Sequence, residues 1–183
     1  MVKIDKKDIL KLFGLLNKSL KKENTNCELH VVGGAVMCLV LDARSSTMDV
    51  DGLFKPAALV RKMAKQVGLD SGIDENWLND GVKGFFSDNG QFDDYLELSN
   101  LTIYTATPEY LLAMKCLAMR IGAEFHDIAD VRYLLRYLNI ETYQQACEVI
   151  AKYYPLERFP QKTLYALEEI LEVKIQVSNM LKK

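Results

Sequence analysis

The chain has 183 residues and a mass of 20.8 kDa, a length that favours one compact domain with at most a helical appendage. Hydrophobic residues make up 49% and charged residues 26% of it, which provides for a packed core and argues against disorder. The formal net charge of -2 excludes a uniformly basic nucleic-acid-binding chain, so such a partner would need a local basic patch.

The distribution of apolar residues, cysteines and histidines further limits the classes of protein to which the chain can belong. The longest apolar stretch, 35–41, is far shorter than the roughly 20 residues that a membrane-spanning helix needs. The first residues form a Lys- and Leu-rich amphipathic pattern without the apolar core of a secretory signal. The four cysteines and two histidines lie far apart, so neither a zinc site nor a Ser-His triad is expected. We expect a cytoplasmic protein with free thiols and no membrane partner.

The first part of the chain predicts alternating helices and strands. Apolar residues recur at helical spacing over 5–22, where an Asp-x-x-Asp pair is typical of a capped first turn. A β-branched strand over 28–32 stops at the pair Gly33–Gly34, and the apolar segment 35–41 is then predicted as a helix. Acidic and apolar residues alternate over 48–54, which indicates a strand with two aspartates on one face.

The second part of the chain is predicted to be increasingly helical. A proline-led helix follows the acidic strand and is expected to end at Gly68, and residues 70–94 then form an irregular excursion with at most one short helix. Two strands, 95–98 and 101–105, are predicted to pair around a Ser-Asn turn. A Thr-Pro-Glu triplet begins a helix that runs to about residue 121, and helical periodicity continues from 127 onward.

The most informative motif combines a glycine turn with two acids on a strand. Gly33 and Gly34 expose backbone amides where a helix begins, an arrangement that holds phosphate favourably. Asp49 and Asp51 are two residues apart, so their carboxylates point the same way and can share a divalent cation. In this order the two features predict a site for a nucleoside triphosphate.

Each half of this motif also has a purely structural interpretation. An acidic alternation is typical of a strand with one solvated face. A Gly-Gly pair is often required for steric reasons alone. On this interpretation the chain is an ordinary α+β domain without a nucleotide site.

The motif resembles a known family. Gly33-Gly34-Ala35, followed by Arg44-x-x-Thr47-x-Asp49-x-Asp51, is similar to the signature of the nucleotidyltransferase superfamily, in the bacterial branch related to abortive-infection nucleotidyltransferase toxins. The resemblance spans roughly residues 30 to 140. Its further matches are Trp77-Leu78-Asn79-Asp80, the helix 110–115 with Arg120, and Asp127-x-x-Asp130.

The resemblance implies a fold and a division of the chain. The fold is α+β, a nucleotidyltransferase-like small mixed sheet with flanking helices. This core, with the N-terminal helix, would occupy residues 1–125, and a helical C-terminal region would occupy 126–183. The two parts would be separate regions or one compact domain.

The resemblance also assigns roles to side chains. Asp49 and Asp51 would be catalytic and would bind Mg²⁺ or Mn²⁺. A third carboxylate often completes such sites, and Glu97 is the best-placed acid here, although acids on a strand's outer face commonly have no role. The residues that would bind the nucleotide are Gly33, Gly34, Arg44, Thr47 and Lys115.

The implied enzyme moves a nucleotide from a nucleoside triphosphate to a hydroxyl of an RNA or a protein and releases pyrophosphate. The toxin-like relatives favour a transfer RNA or protein acceptor and an antitoxin-like protein partner. The alternative is a catalytically degenerate member that binds a nucleotide or a partner protein within a toxin-antitoxin pair. The motif itself contains only two of the three carboxylates, which favours this alternative.

Three charged residues beside Lys115 also have structural interpretations. Arg120 lies five residues further along the helix, about 140° around it, so the two cations do not face one site. Asp127 and Asp130 have the spacing of a capping box, which favours a helix-capping role over a catalytic one. Either aspartate is also a candidate ion-pair partner for Arg120.

Overall fold

The computed structural model describes the backbone of residues 3–120 and 126–180, with side chains up to residue 172. The strands are β1 Ile4–Asp5, β2 Cys27–Val32, β3 Ser46–Thr47, β4 Val50–Lys55, β5 Leu78–Asn79, β6 Phe92–Glu97 and β7 Leu101–Ala106. The α-helices are α1 Lys6–Lys22, α2 Gly33–Leu39, α3 Ala57–Asp70, α4 Pro108–Leu117, α5 Asp127–Tyr137, α6 Tyr143–Ala151 and α7 Gln161–Met180. Short 3₁₀ helices occupy Gly81–Phe85 and Leu156–Arg158.

The chain is a mixed α/β protein that divides into two compact units. The first unit contains Met1–Gly84 and Phe92–Ala106, and the second contains Phe85–Gln91 and Thr107–Lys183. In this division α4 groups with the later helices, and the boundary expected between residues 125 and 126 stays a prediction. None of the helices in the described ranges is long and apolar enough to cross a membrane.

The first unit is built on a five-stranded mixed sheet with the order β5-β4-β2-β7-β6. The central strand β2 pairs antiparallel with β4 and parallel with β7. Alternate residues along these strands are buried, which makes one face of the sheet the core of the unit. The buried residues on this face include Leu29, Val31, Gly52, Phe54 and Ile103.

Helix α1 confirms the predicted amphipathic helix and its cap. Asp5 is the N-cap, its side chain accepts from the Asp8 backbone amide at 2.9 Å, and Asp8 accepts from the Asp5 amide at 3.1 Å. These two bonds satisfy amides that have no partner within the helix. The buried residues of α1 recur at helical spacing: Ile9, Leu12, Phe13, Leu16 and Leu20.

Helix α3 begins after Pro56 as predicted but continues past Gly68, which was expected to end it. A Cβ at Gly68 would lie 2.6 Å from the Asp74 carbonyl oxygen and 2.9 Å from Trp77 Cδ1. This glycine therefore serves close approach of the following loop rather than helix termination.

The segment 70–94 contains a strand that the sequence pattern does not predict. After α3 the chain returns along the sheet, and β5 pairs parallel with β4, with Leu78 opposite Val50 and Asn79 opposite Asp51. Trp77, immediately before β5, is fully buried, and its Nε1 donates to the Ala64 carbonyl at 2.8 Å. A two-residue strand is too short for an alternation to appear, so its pairing with β4 rather than periodicity identifies this element.

The predicted antiparallel pair near residue 100 is confirmed as β6 and β7. The helical second unit that follows begins with α4, whose Thr107 side chain accepts from the Tyr110 amide at 3.4 Å. Within this unit the segment 85–91 is held by tyrosines. Tyr110 Oη accepts from the Ser87 amide at 2.9 Å, and Tyr153 Oη donates to Gln91 Oε1 at 2.9 Å.

Candidate functional site

The strand β2 brings the glycine pair to Asp51. Val32, the last residue of β2, lies opposite Asp51 on β4, and α2 begins immediately afterwards at Gly33. Gly33 has φ +69°, and a Cβ there would lie 3.0 Å from Asp51 Oδ2. Its left-handed backbone strongly favours glycine, and a side chain here would also crowd the Asp51 carboxylate.

Gly34 lies against two more residues of the predicted site. A Cβ at this position would lie 2.8 Å from Thr47 Oγ1 and 3.2 Å from Arg44 Nη1. Thr47 is buried in β3, where it pairs with Ile4 of β1. The structure thus brings Gly33, Gly34, Arg44, Thr47 and Asp51 together in the first unit. The close packing also gives the steric reason for both glycines.

Asp49, the residue immediately before β4, also belongs to this group. Val50, between the two aspartates, is buried and its amide donates to the Trp77 carbonyl at 2.6 Å. Because side chains alternate along the chain here, Asp49 and Asp51 both point away from the side on which Val50 is buried. Asn79, opposite Asp51 on β5, donates from Nδ2 to Asp49 Oδ2 at 3.1 Å.

The atoms of this group that could bind a metal ion are carboxylate oxygens. The carboxylates of Asp49 and Asp51 are hard ligands of the kind that Mg²⁺ and Mn²⁺ prefer, and two carboxylates with substrate phosphates are a usual magnesium set. Within the described part of the chain, no three His, Cys, Asp or Glu side chains are grouped to hold a metal ion. Asp49 and Asp51 supply two carboxylates of such a set, and a cation held there would take its remaining ligands from water and phosphate.

Glu97 lies in a different part of the sheet. It is opposite Thr102 on β7, which is in register with Glu28 on β2 and, through it, with Lys55 on β4. Lys55 is four residues beyond Asp51, about 13 Å along the strand, and β6 is three strand spacings from β4, about 14 Å across the sheet. The register separates Glu97 from the aspartate pair, in disagreement with the expectation that it completes their site.

Lys115 belongs to the second unit, where it is paired with buried acids. Its Nζ lies 2.8 Å from Asp130 Oδ2 and 3.4 Å from Asp127 Oδ1, and its side chain is 12% exposed. The ion pairs explain a cation among apolar neighbours without a phosphate. Its assignment to phosphate binding stays a prediction.

Both aspartates of α5 form ion pairs with cations. His126, not Asp127, is the N-cap, and no side chain caps it. The Asp127 carboxylate instead accepts from Arg120, from the backbone amide at 3.2 Å and from Nε at 3.0 Å. The expected ion pair of Arg120 is confirmed, and the capping role of the two aspartates stays a prediction.

This ion cluster makes the stability of the second unit depend on pH. Burial alone would raise the pKa of Asp127, but Lys115 and Arg120 hold that pKa below its ordinary value. A carboxyl whose pKa is lower in the folded than in the unfolded protein stabilises the fold above about pH 4. This stabilisation is lost as the pH falls through the pKa of the folded state. We expect the free energy of unfolding to fall below pH 4, and to fall less in Asp127→Asn.

Urea unfolding at a series of pH values from 7 to 3 measures this dependence. Asp88→Asn, an exposed acid in the second unit, is the matched control and should follow the wild-type curve. Equal losses of stability in wild type and Asp127→Asn would contradict the assignment.

Among the residues of the site, sequence reasoning assigned no role to Asn79. The Trp-Leu-Asn-Asp segment was singled out only by resemblance, and the signal that locates Asn79 is its register with Asp51. No protein-family model, no curated protein and no solved structure matches this chain. The resemblance to nucleotidyltransferases therefore stays a prediction, supported by the arrangement of the chain's own residues.

Proposed function

We propose that this protein transfers a nucleotide from a nucleoside triphosphate to an acceptor hydroxyl, with a divalent cation held by Asp49 and Asp51. The observation that carries the proposal is the packing of the glycine pair against the acid motif, with Gly33 beside the Asp51 carboxylate. The two sequence features are 15 residues apart or more, and their juxtaposition is what a metal-triphosphate site needs.

The chemistry assigns a task to each part of the site. When bound, the cation offsets phosphate charge and promotes attack at the α-phosphorus. Arg44 supplies positive charge beside Gly34, and the Thr47 hydroxyl offers a hydrogen bond to a phosphate oxygen. The acceptor oxygen forms a bond to the α-phosphorus, the bond to the bridging oxygen breaks, pyrophosphate leaves and the hydroxyl proton passes to solvent. An RNA or protein hydroxyl is the acceptor class.

A second candidate function is a nucleotide- or partner-binding module without transferase activity, as one half of a toxin-antitoxin pair. The observation that favours it is the placement of Glu97, which leaves the aspartate pair without the third carboxylate expected from the sequence. Binding of a metal-triphosphate complex needs only the pair, whereas deprotonation of an acceptor is helped by a further acid.

A transfer assay separates the two candidates. Purified protein is incubated with α-labelled nucleoside triphosphates, Mg²⁺ or Mn²⁺, and either total RNA or total protein. We expect metal-dependent labelling of one acceptor fraction, with none for Asp49→Asn. Metal-dependent triphosphate binding without labelling would support the binding module. Absence of both would contradict the transferase and the nucleotide-binding module.

A further inference from the structure

The amide of Asn79 is fixed at both of its ends. Its Nδ2 donates to Asp49 Oδ2 at 3.1 Å, and its Oδ1 accepts from the Gly81 backbone amide at 3.1 Å. An amide donates only through nitrogen and accepts only through oxygen, so this pair of bonds selects one orientation of the side chain. In that orientation the N–H group faces the acid motif.

The residue after Asn79 is held by two cations. Asp80 Oδ2 lies 2.7 Å from Arg61 Nη2 on α3 and 2.6 Å from Lys83 Nζ, and its side chain is 13% exposed. The hydrogen bond from Lys83, followed by that from Arg61, holds the pKa of Asp80 below its ordinary value. With Trp77 buried on the other side, the short strand β5 is anchored at both ends.

We propose that Asn79 is the positioning residue of the metal site, a role that rests on the proposed function. A hydrogen bond from a neighbouring side chain orients a metal-binding carboxylate and thereby raises affinity. By holding Asp49 Oδ2, Asn79 fixes the plane of the carboxylate relative to Asp51. Asn79 also places a donor, rather than a third negative charge, beside the two acids.

Two substitutions of Asn79 are expected to act in opposite directions on Mn²⁺ binding. Asn79→Ala removes both hydrogen bonds, so the Kd for Mn²⁺ should rise about tenfold or more. Asn79→Asp keeps an acceptor for the Gly81 amide, loses the donor to Asp49 and adds a carboxylate. Its Kd for Mn²⁺ should fall below the wild-type value, and Mn²⁺ should raise its Tm more than that of wild type.

The experiment measures Mn²⁺ binding by electron paramagnetic resonance and the Mn²⁺-induced change in Tm for each variant. Asn76→Ala, an exposed asparagine before β5, is the matched control and should equal wild type. The part of the Mn²⁺ signal that is lost in Asp49→Asn is the part that comes from this site. Should Asn79→Ala fail to fold, Asn79→Ser carries the test, because a serine hydroxyl can accept from the Gly81 amide, adds no charge and is too short to keep the contact with Asp49, so its Kd for Mn²⁺ should also rise.

The outcomes distinguish this inference from the proposed function. If wild type binds Mn²⁺ through Asp49, but both Asn79 variants keep the wild-type Kd and Tm shift, the positioning role is overturned and the proposed function stands. If wild type binds no Mn²⁺ with or without a nucleoside triphosphate, the proposed function fails, and the role of Asn79 fails with it.

Discussion

Asp51→Asn is expected to remove metal-dependent triphosphate binding and nucleotide transfer while leaving the fold intact. Asp51 lies beside Gly33 and is half-buried on β4, so the substitution keeps the size and position of the side chain and removes its charge. A neutral amide is a weak ligand for a hard cation. We expect the Kd for the Mg²⁺-triphosphate complex to rise more than about a hundredfold, beyond the effect typical of a residue that only supports a ligand.

Isothermal titration calorimetry with a nucleoside triphosphate, with and without Mg²⁺, measures this loss. Asp93→Asn is the matched control, because Asp93 is an exposed acid on the edge strand β6 of the same sheet. It should bind as wild type does, and both variants should remain folded. Unaltered binding in Asp51→Asn would contradict the site.

Trp77→Ala is expected to cause the largest loss of stability. Trp77 is fully buried, its ring lies 6.2 Å from that of Phe13, and its Nε1 donates to the Ala64 carbonyl. Removing a buried aromatic side chain costs about 3–5 kcal/mol, which is a large part of the stability of a typical domain. Because Trp77 anchors β5, the variant should also lose the contact between Asn79 and Asp49.

Urea unfolding followed by circular dichroism measures the free energy of unfolding of this variant. Leu69→Ala on α3 is the control, since Leu69 is 53% exposed and its truncation should change stability by less than about 0.5 kcal/mol. A loss below about 1 kcal/mol in Trp77→Ala would contradict the role of this side chain as an anchor.

Local signals made much of the fold predictable. The Asp5–Asp8 pair and the triplet at Thr107 satisfy helix amides within one turn, so each helix start can be inferred from a few neighbouring residues. The strand β2 and the transition into α2 at Gly33 follow from β-branched residues meeting a glycine with positive φ. The proximity of the glycine pair to Asp51 agrees with the order of the motif.

The features that could not be predicted depend on pairing between distant segments. The strand β5 has two residues and shows no periodicity, so its register with β4, and hence the contact of Asn79 with Asp49, is invisible in the sequence. The placement of Glu97 follows from three successive strand pairings. Similarly, the partners of Lys115 lie on another helix, 12 and 15 residues further along the chain.

The most direct test of the central claim, that Asp49 and Asp51 bind a divalent cation with a nucleoside triphosphate, is the thermal stability of the wild-type protein with both ligands. At about 100 times its Kd a ligand stabilises the folded state by about 2.7 kcal/mol. We predict a rise in Tm when Mg²⁺ and the triphosphate are added together, and none in Asp51→Asn. A wild-type Tm that stays unchanged with both ligands at millimolar concentration would contradict the claim.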